Sequence, residues 1–104
     1  MHTTGTTTVR IFTPGGIPKA PHIVAQVAEA AICQGIEAVV IDTEIHPGVA
    51  IEVGVMALPA VIVERGGVEV ARRECLRGGR GLRRWLDCRL VPVDVAPVFE
   101  LTFA

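Results

Sequence analysis

Three cysteines, Cys33, Cys75 and Cys88, are the most reactive side chains of this 104-residue sequence. Their odd number and the lack of any CxxC pair argue against a disulfide framework, a zinc knuckle and a dithiol redox centre. Cys75 is the best candidate for a reactive thiol, because the arginines beside it in the sequence favour a thiolate. For each cysteine the alternative interpretation is a small apolar residue or an inert surface thiol.

The histidines and glycines do not form a recognisable catalytic or cofactor motif. His2, His22 and His46 have no ligand spacing among themselves, and His22 has none with Cys33, so we expect no metal site. Glycine pairs at 15–16 and 78–79 stand before predicted helices, where backbone N–H groups attract anions. Neither a GxGxxG pattern nor a Walker A lysine accompanies them, so we interpret them as turns and expect no cofactor.

The charges are divided unevenly along the chain. Residues 65–89 contain eight of the ten basic and three of the eleven acidic residues, a net charge of +5, against −6 for the remainder. The ordinary interpretation is a solvated arginine-rich helix face, and the alternative is a patch for a phosphate, an RNA or an acidic partner. We expect nucleic-acid binding to be absent, because three Phe, one Trp and no Tyr supply little stacking surface. The candidate anion-binding residues are Arg72, Arg73, Arg77, Arg80, Arg83 and Arg84.

Hydrophobic patterning predicts an α/β domain with the order β-α-β-α-β-β-α. The predicted strands are residues 9–13, 37–43, 60–64 and 68–73. The predicted helices are residues 22–34, a short helix or turn at 47–54, and a last helix with the stripe Leu82, Trp85, Leu86 and Leu90. The near-continuous apolar run of the second strand is typical of a strand that is buried on both faces.

The whole chain fits one domain, with residues 1–8 as a flexible N-terminus, 9–90 as the folded unit and 91–104 as a C-terminal tail. Phe99, Leu101 and Phe103 alternate along the tail, which predicts either an added edge strand or a homodimer contact. No apolar run reaches the roughly 18 residues of a membrane span, and no signal pattern opens the chain, so we expect a cytoplasmic protein without a membrane partner.

Three segments resemble the thioredoxin and glutaredoxin superfamily over about residues 9–90. IFTPGGIPKAP at 11–21 resembles the family's junction between its first strand and first helix. VGVMALPA at 53–60 resembles the segment with the family's cis-proline, which here is Pro59, and VIVERGGVEVARREC at 61–75 resembles the hairpin that follows it. The resemblance implies a four-stranded mixed sheet with helices on both sides.

The family's dithiol is missing from this sequence. The family's two cysteines align with Pro14 and Ile17, or with Gly15 and Pro18 in the shifted register, so neither alignment supplies a thiol. Thiol–disulfide exchange needs an attacking thiolate, and its mixed intermediate needs a second thiol. The resemblance therefore implies the scaffold without the reaction.

Relatives pair an extended peptide with the backbone before the cis-proline, in the manner of strand addition. The primary hypothesis is accordingly a redox-inactive binding or accessory module with an unknown protein or peptide partner. The alternatives are a redox-sensing protein that uses Cys75, Cys33 or Cys88, and an anion or RNA binder. The candidate peptide-binding residues are Pro14, Gly15, Gly16, Ile17, Pro18, Leu58 and Pro59.

Overall fold

The computed structural model describes residues 6–14 and 21–90, which contain four strands and three helices. The strands are β1 (Thr7–Thr13), β2 (Glu37–Asp42), β3 (Ala60–Arg65) and β4 (Val68–Arg73). The helices are α1 (Pro21–Cys33), α2 (Pro47–Val53) and α3 (Arg80–Leu90). The predicted element order is confirmed, including the short second helix.

The four strands form one mixed sheet in the order β2-β1-β3-β4. β1 pairs with β2 in parallel, while β1–β3 and β3–β4 are antiparallel. Between β3 and β4 the register shifts: Val63 faces Ala71 and Glu64 faces Glu69, so Val70 is an extra, bulged residue in β4. The predicted four-stranded mixed sheet is therefore confirmed.

Most predicted boundaries lie within one or two residues of the observed ones. β1 begins at Thr7 rather than residue 9, because Thr7 and Thr8 pair with Arg65 and Glu64 of β3. Composition alone predicts these two threonines to be part of the flexible N-terminus, and the partner strand places them in the sheet. α1 lies one residue earlier than predicted at both ends, and β2 ends at Asp42.

The prediction that the second strand is buried on both faces is wrong. Within the described residues β2 has β1 as its neighbour on one side only. Val39 on one face is 37% exposed and Val40 on the other is 52% exposed. An apolar run indicates β-structure, but a strand is covered only where other elements flank it, and here the run forms the edge of the sheet.

The core lies on both sides of the sheet. On one face α1 and α3 pack against the apolar side chains of β1 and β3, and the buried set of this cluster is Val9, Ile11, Ile23, Val27, Ala30, Ala31, Val61, Val63, Leu76, Leu82, Leu86 and Leu90. On the other face a smaller buried cluster of Phe12, Ile41, Ala60 and Ile62 lies against partly buried residues of α2 and the loop after it. The predicted helices on both sides of the sheet are confirmed.

α2 ends in a left-handed glycine. Gly54 has φ +73°, its N–H donates to the carbonyl of Ile51, and the N–H of Val55 donates to the carbonyl of Ala50. These two bonds are the Schellman pattern, which satisfies the last free carbonyls of a helix and reverses the chain. They turn residues 55–59 back towards β3 and so place the segment that contains Pro59.

None of the helices among the described residues combines the length and the apolar character needed to cross a membrane. The predicted tail strand and homodimer contact, with Phe99, Leu101 and Phe103, lie outside the described residues.

Candidate functional site

The sheet register brings two of the predicted binding segments to the same end of the sheet. Phe12 of β1 faces Ala60 of β3 in an antiparallel pair, so Pro14, two residues after Phe12, and Leu58, two residues before Ala60, both lie beyond the same end of this strand pair. The structure therefore places Pro14, Leu58 and Pro59 of the predicted set at one end of the sheet, and peptide binding by them stays a prediction. Gly15, Gly16, Ile17 and Pro18 lie outside the described residues.

The backbone of Leu58 is available for pairing. The Leu58–Pro59 peptide bond is cis, and the carbonyl of Pro59 accepts a hydrogen bond from the N–H of Leu76 at 2.9 Å. Within residues 6–14 and 21–90, no hydrogen bond uses the N–H or the C=O of Leu58. Leu58 is half-buried, and its N–H and C=O have no partner among the described residues, whereas backbone groups in such positions normally find one.

The loop before Pro59 is held in place by a carboxylate that directly follows β4. Oε1 of Glu74 accepts hydrogen bonds from the N–H groups of Met56 and Ala57, each at 3.0 Å. Hydrogen bonds to an ionised carboxylate are stronger than those between neutral groups. Glu74 therefore fixes the two residues that precede Leu58.

Arg72 connects this carboxylate with the end of α2. Its guanidinium donates to both carboxylate oxygens of Glu69, to Oε2 of Glu74, and to the carbonyls of Val53 and Gly54, at 2.6–3.1 Å. A guanidinium has five N–H donors, and these five bonds use all of them. Arg72 was predicted as an anion-binding residue, and in the structure its hydrogen-bonding capacity is used within the chain.

The charges of this network support one another. The hydrogen bond from Arg72 holds the pKa of the Glu69 carboxyl below its ordinary value, although desolvation opposes it. Burial raises the pKa of Glu74, but the Arg72 bond and the two backbone N–H donors outweigh it and leave that pKa lowered. The bonds to Glu69 and Glu74 raise the pKa of Arg72 further above its already high value. All three groups are therefore charged at neutral pH.

The remaining predicted arginines divide into two groups. Arg83 pairs with Asp87 at 3.1 Å, and Arg73 reaches the carbonyl of Gly81 at 3.5 Å. Arg77, Arg80 and Arg84 are exposed and have no hydrogen bond or ion pair to any described residue. Anion binding by these three stays a prediction.

Cys75 is the cysteine nearest to the loop of Pro59. It is exposed, has φ +54°, and stands between Glu74 and Leu76, both of which bind that loop. Three arginines, Arg72, Arg73 and Arg77, are expected to favour its thiolate. Of these, Arg72 is already matched by two carboxylates, while Arg73 and Arg77 are exposed. Cys33 at the end of α1 and Cys88 in α3 are likewise exposed and free.

Three contributors to this site were not predicted from the sequence. Glu74 and Arg72 act as the support of the loop, and Met56 presents a side chain that is 88% exposed next to Leu58. The spacing of Arg72 and Glu74 was a usable signal, because residues two apart in a strand point to the same face. We use the term Pro59 rim for Pro14, Met56, Leu58 and Pro59.

The fold of the chain is similar to that of several solved structures, although its sequence matches no family model. No protein-family model and no curated protein sequence matches the chain. Among solved structures it is similar to a mutant thioredoxin from Halobacterium salinarum, with 16% identity, a TM-score of 0.69, and coverage of 86% of this chain and 79% of that one. Oxidised thioredoxin from Plasmodium falciparum aligns at 12% identity and TM-score 0.68, covering 84% of each chain. Thioredoxin 1 from Thermosipho africanus aligns at 14% identity and TM-score 0.63, covering 93% of this chain and 99% of that one. The arrangement of three helices around the β2-β1-β3-β4 sheet is thus a thioredoxin-like fold.

Proposed function

We propose that this chain binds an extended polypeptide segment at the Pro59 rim and performs no dithiol exchange there, which makes it a binding or accessory module. The observation that carries the proposal is that the N–H and C=O of Leu58 have no partner within residues 6–14 and 21–90, on a loop that is held by Glu74 and Leu76. The thioredoxin-like fold alone does not assign an activity, because one fold supports many functions.

Strand addition needs main-chain donors and acceptors that are already in position. A bound peptide then gains hydrogen bonds without the entropic cost of ordering the receptor. The Glu74 and Arg72 bonds supply that order at residues 53–57, directly before Leu58. Met56 adds a flexible apolar side chain that can adapt to different peptide side chains.

The absence of exchange follows from the residues beside the rim. Residues 14–18 read Pro-Gly-Gly-Ile-Pro, so the strand-to-helix junction contains no sulfur. Exchange through a mixed disulfide requires a thiolate at the site of attack. The Pro59 rim can therefore bind a polypeptide non-covalently but has no thiol with which to attack it.

A titration monitored by two-dimensional amide NMR tests the binding. The probe is insulin B chain with both thiols carboxamidomethylated, an extended polypeptide that cannot exchange disulfides. We expect shifts at the amides of Met56, Ala57 and Leu58. Met56→Lys should weaken binding about tenfold, equivalent to about 1.4 kcal/mol, while Ile51→Lys, at a similarly exposed apolar residue (78%) on α2, should not. Shifts confined to other surfaces, or equal effects of both substitutions, would contradict the proposal.

The position of Cys75 favours a second candidate function, capture of a partner disulfide by a single thiol. Its thiolate would attack one sulfur of the partner, forming a mixed disulfide and releasing the other sulfur as a thiolate. Reduction of insulin by dithiothreitol separates the two functions. If insulin is reduced no faster with the protein than with dithiothreitol alone, the result supports the binding module. If the protein accelerates the reduction and Cys75→Ser abolishes the acceleration, the result supports disulfide capture by Cys75.

A further inference from the structure

The two edges of the sheet are protected to very different degrees. β4 carries the bulged Val70 and the charged side chains of Glu69, Arg72 and Arg73, which are features that prevent a strand from pairing with another chain. β2 (EAVVID) has no proline, no bulge and no basic residue, and its central valines are exposed on both faces. β2 is therefore an edge that another strand fits.

We propose that residues 98–103 of the tail add a fifth strand to this edge, parallel to β2, and give the sheet the order 98–103, β2, β1, β3, β4. The sequence VFELTF alternates Phe99, Leu101 and Phe103 on one side, which is the period of a half-buried strand. The occupant is thus a segment of the same chain that follows the last described helix.

The handedness of the connection selects the β2 edge over the β4 edge. β4 is parallel to β1, because both are antiparallel to β3, and α3 packs on the same face as α1. The connection from β4 through α3 to a strand outside β2 crosses the sheet in the same direction as the connection from β1 through α1 to β2. Both helices lie on the same face, so the two connections have the same handedness. A new parallel strand outside β4 would need the opposite hand, and parallel crossovers are almost all of one hand.

The length of the chain after α3 fits this path. α3 begins beside the end of β4, where Arg73 reaches Gly81, and runs back along the sheet to Leu90, so it ends near the level at which β2 begins. Three strand spacings separate β3 from the new strand, or about 14 Å at ~4.8 Å per strand. With a layer separation of about 10 Å, a helix above β3 lies about 17 Å from the new strand. Residues 91–97 reach about 23 Å when extended. An antiparallel strand would first have to travel the full length of β2, roughly a further 20 Å, which these residues do not reach.

An apolar surface lies beside this edge on the α1 side. One flank of α1 carries Val24, Ala28 and Ile32 at intervals of four residues. This flank lies opposite Gln26, which bonds to Gly79 directly before α3. Ile32 is 68% exposed, and Val40 of β2 lies on the same face of the sheet. Phe99, Leu101 and Phe103 are suited to cover these side chains.

Hydrogen–deuterium exchange of the unmodified chain tests the proposal without a variant. We expect the β2 amides that point away from β1 to exchange about tenfold or more slower than open edge amides, while the outer amides of β4 exchange freely. Fast exchange of all outward β2 amides, or slow exchange in β4 instead, would overturn the proposal.

Two further measurements identify the occupant. Deleting residues 97–104 should expose the β2 amides, and so should Leu101→Asp, whereas Thr102→Asp on the opposite side of the same segment should leave most of the protection. The molecular mass, measured by light scattering over a range of concentrations, should be that of a monomer wherever β2 is protected. Protection that appears only when the mass doubles would mean that a second copy occupies the edge, and would overturn the proposal.

Discussion

The two faces of the sheet are built on different principles. On the face of α1 and α3, twelve buried side chains form one apolar cluster. On the other face four buried residues of the described chain lie near α2, which has no buried residue of its own, and charged pairs lie on the same face: Arg10 with Glu64 at 3.0 Å, and Arg72 with Glu69 and Glu74. Apolar burial supplies most of the stability of a fold, whereas ion pairs and hydrogen bonds fix geometry. The first face therefore holds the domain together, and the second positions the Pro59 rim.

The largest expected effect is on the first face. Leu86→Ala removes a side chain of α3 that is fully buried, and it should lower the free energy of unfolding by about 2–5 kcal/mol. Val49→Ala, at a partly buried residue of α2, should cost less than about 1.5 kcal/mol. Urea denaturation of both variants measures the difference. Equal losses would show that the two faces contribute alike.

Arg72→Ala is expected to have the largest effect on the second face. It leaves Glu69, Glu74 and two helix-end carbonyls without their donor and should cost about 1–3 kcal/mol. Faster hydrogen exchange at Met56 and Ala57 should accompany this loss, because Glu74 is no longer held. Arg83→Ala removes an exposed pair with Asp87 and is the matched control, with a loss below about 0.5 kcal/mol. A loss of stability without faster exchange at residues 56–57 would contradict the assigned support of the loop.

Acid should weaken the second face selectively. The folded-state pKa values of Glu69 and Glu74 lie below the ordinary value of 4.5, so the folded protein binds these protons less tightly than the unfolded chain does. Their contribution to stability is present above about pH 4.5 and is lost as the pH falls through the lowered values. As the pH is lowered from 7 to 3, the urea concentration at the denaturation midpoint should fall less steeply for Glu74→Gln than for the unmodified protein. Parallel profiles would contradict the lowered pKa of Glu74.

The smallest expected effect concerns Cys75. Its φ of +54° lies in the left-handed region, which an L-residue occupies at a cost of roughly 1 kcal/mol and glycine occupies freely. Cys75→Gly should therefore leave the free energy of unfolding unchanged or raise it by up to about 1 kcal/mol. Cys75→Ala keeps the Cβ and is the control. A loss with glycine that exceeds the loss with alanine would contradict the left-handed backbone.

Periodicity and glycine positions were enough to predict the element order, because they depend on local spacing. The stripe from Leu82 to Leu90 and the stop at Gly35 identified α3 and the end of α1 in this way. The exposure of β2 could not be predicted, since it depends on which strand lies beside it and not on the strand's own residues. The role of Arg72 was missed for the same reason: two of its partners, Val53 and Gly54, are eighteen or more residues away in the sequence.

The bulge in β4 has a consequence for how this chain tolerates deletions. In a regular strand, residues three apart point to opposite faces, so Glu69 and Arg72 could not meet. The extra residue at Val70 turns both to the face of α2, with Glu69 beside Glu64 and Arg72 beside Ile62. Loss of the single codon for Val70 would remove the bulge and leave Glu69 and Arg72 two residues apart in a regular strand, so both side chains would still point to the face of α2. The hairpin would be shorter and more regular, and the support of the loop before Pro59 should survive this deletion.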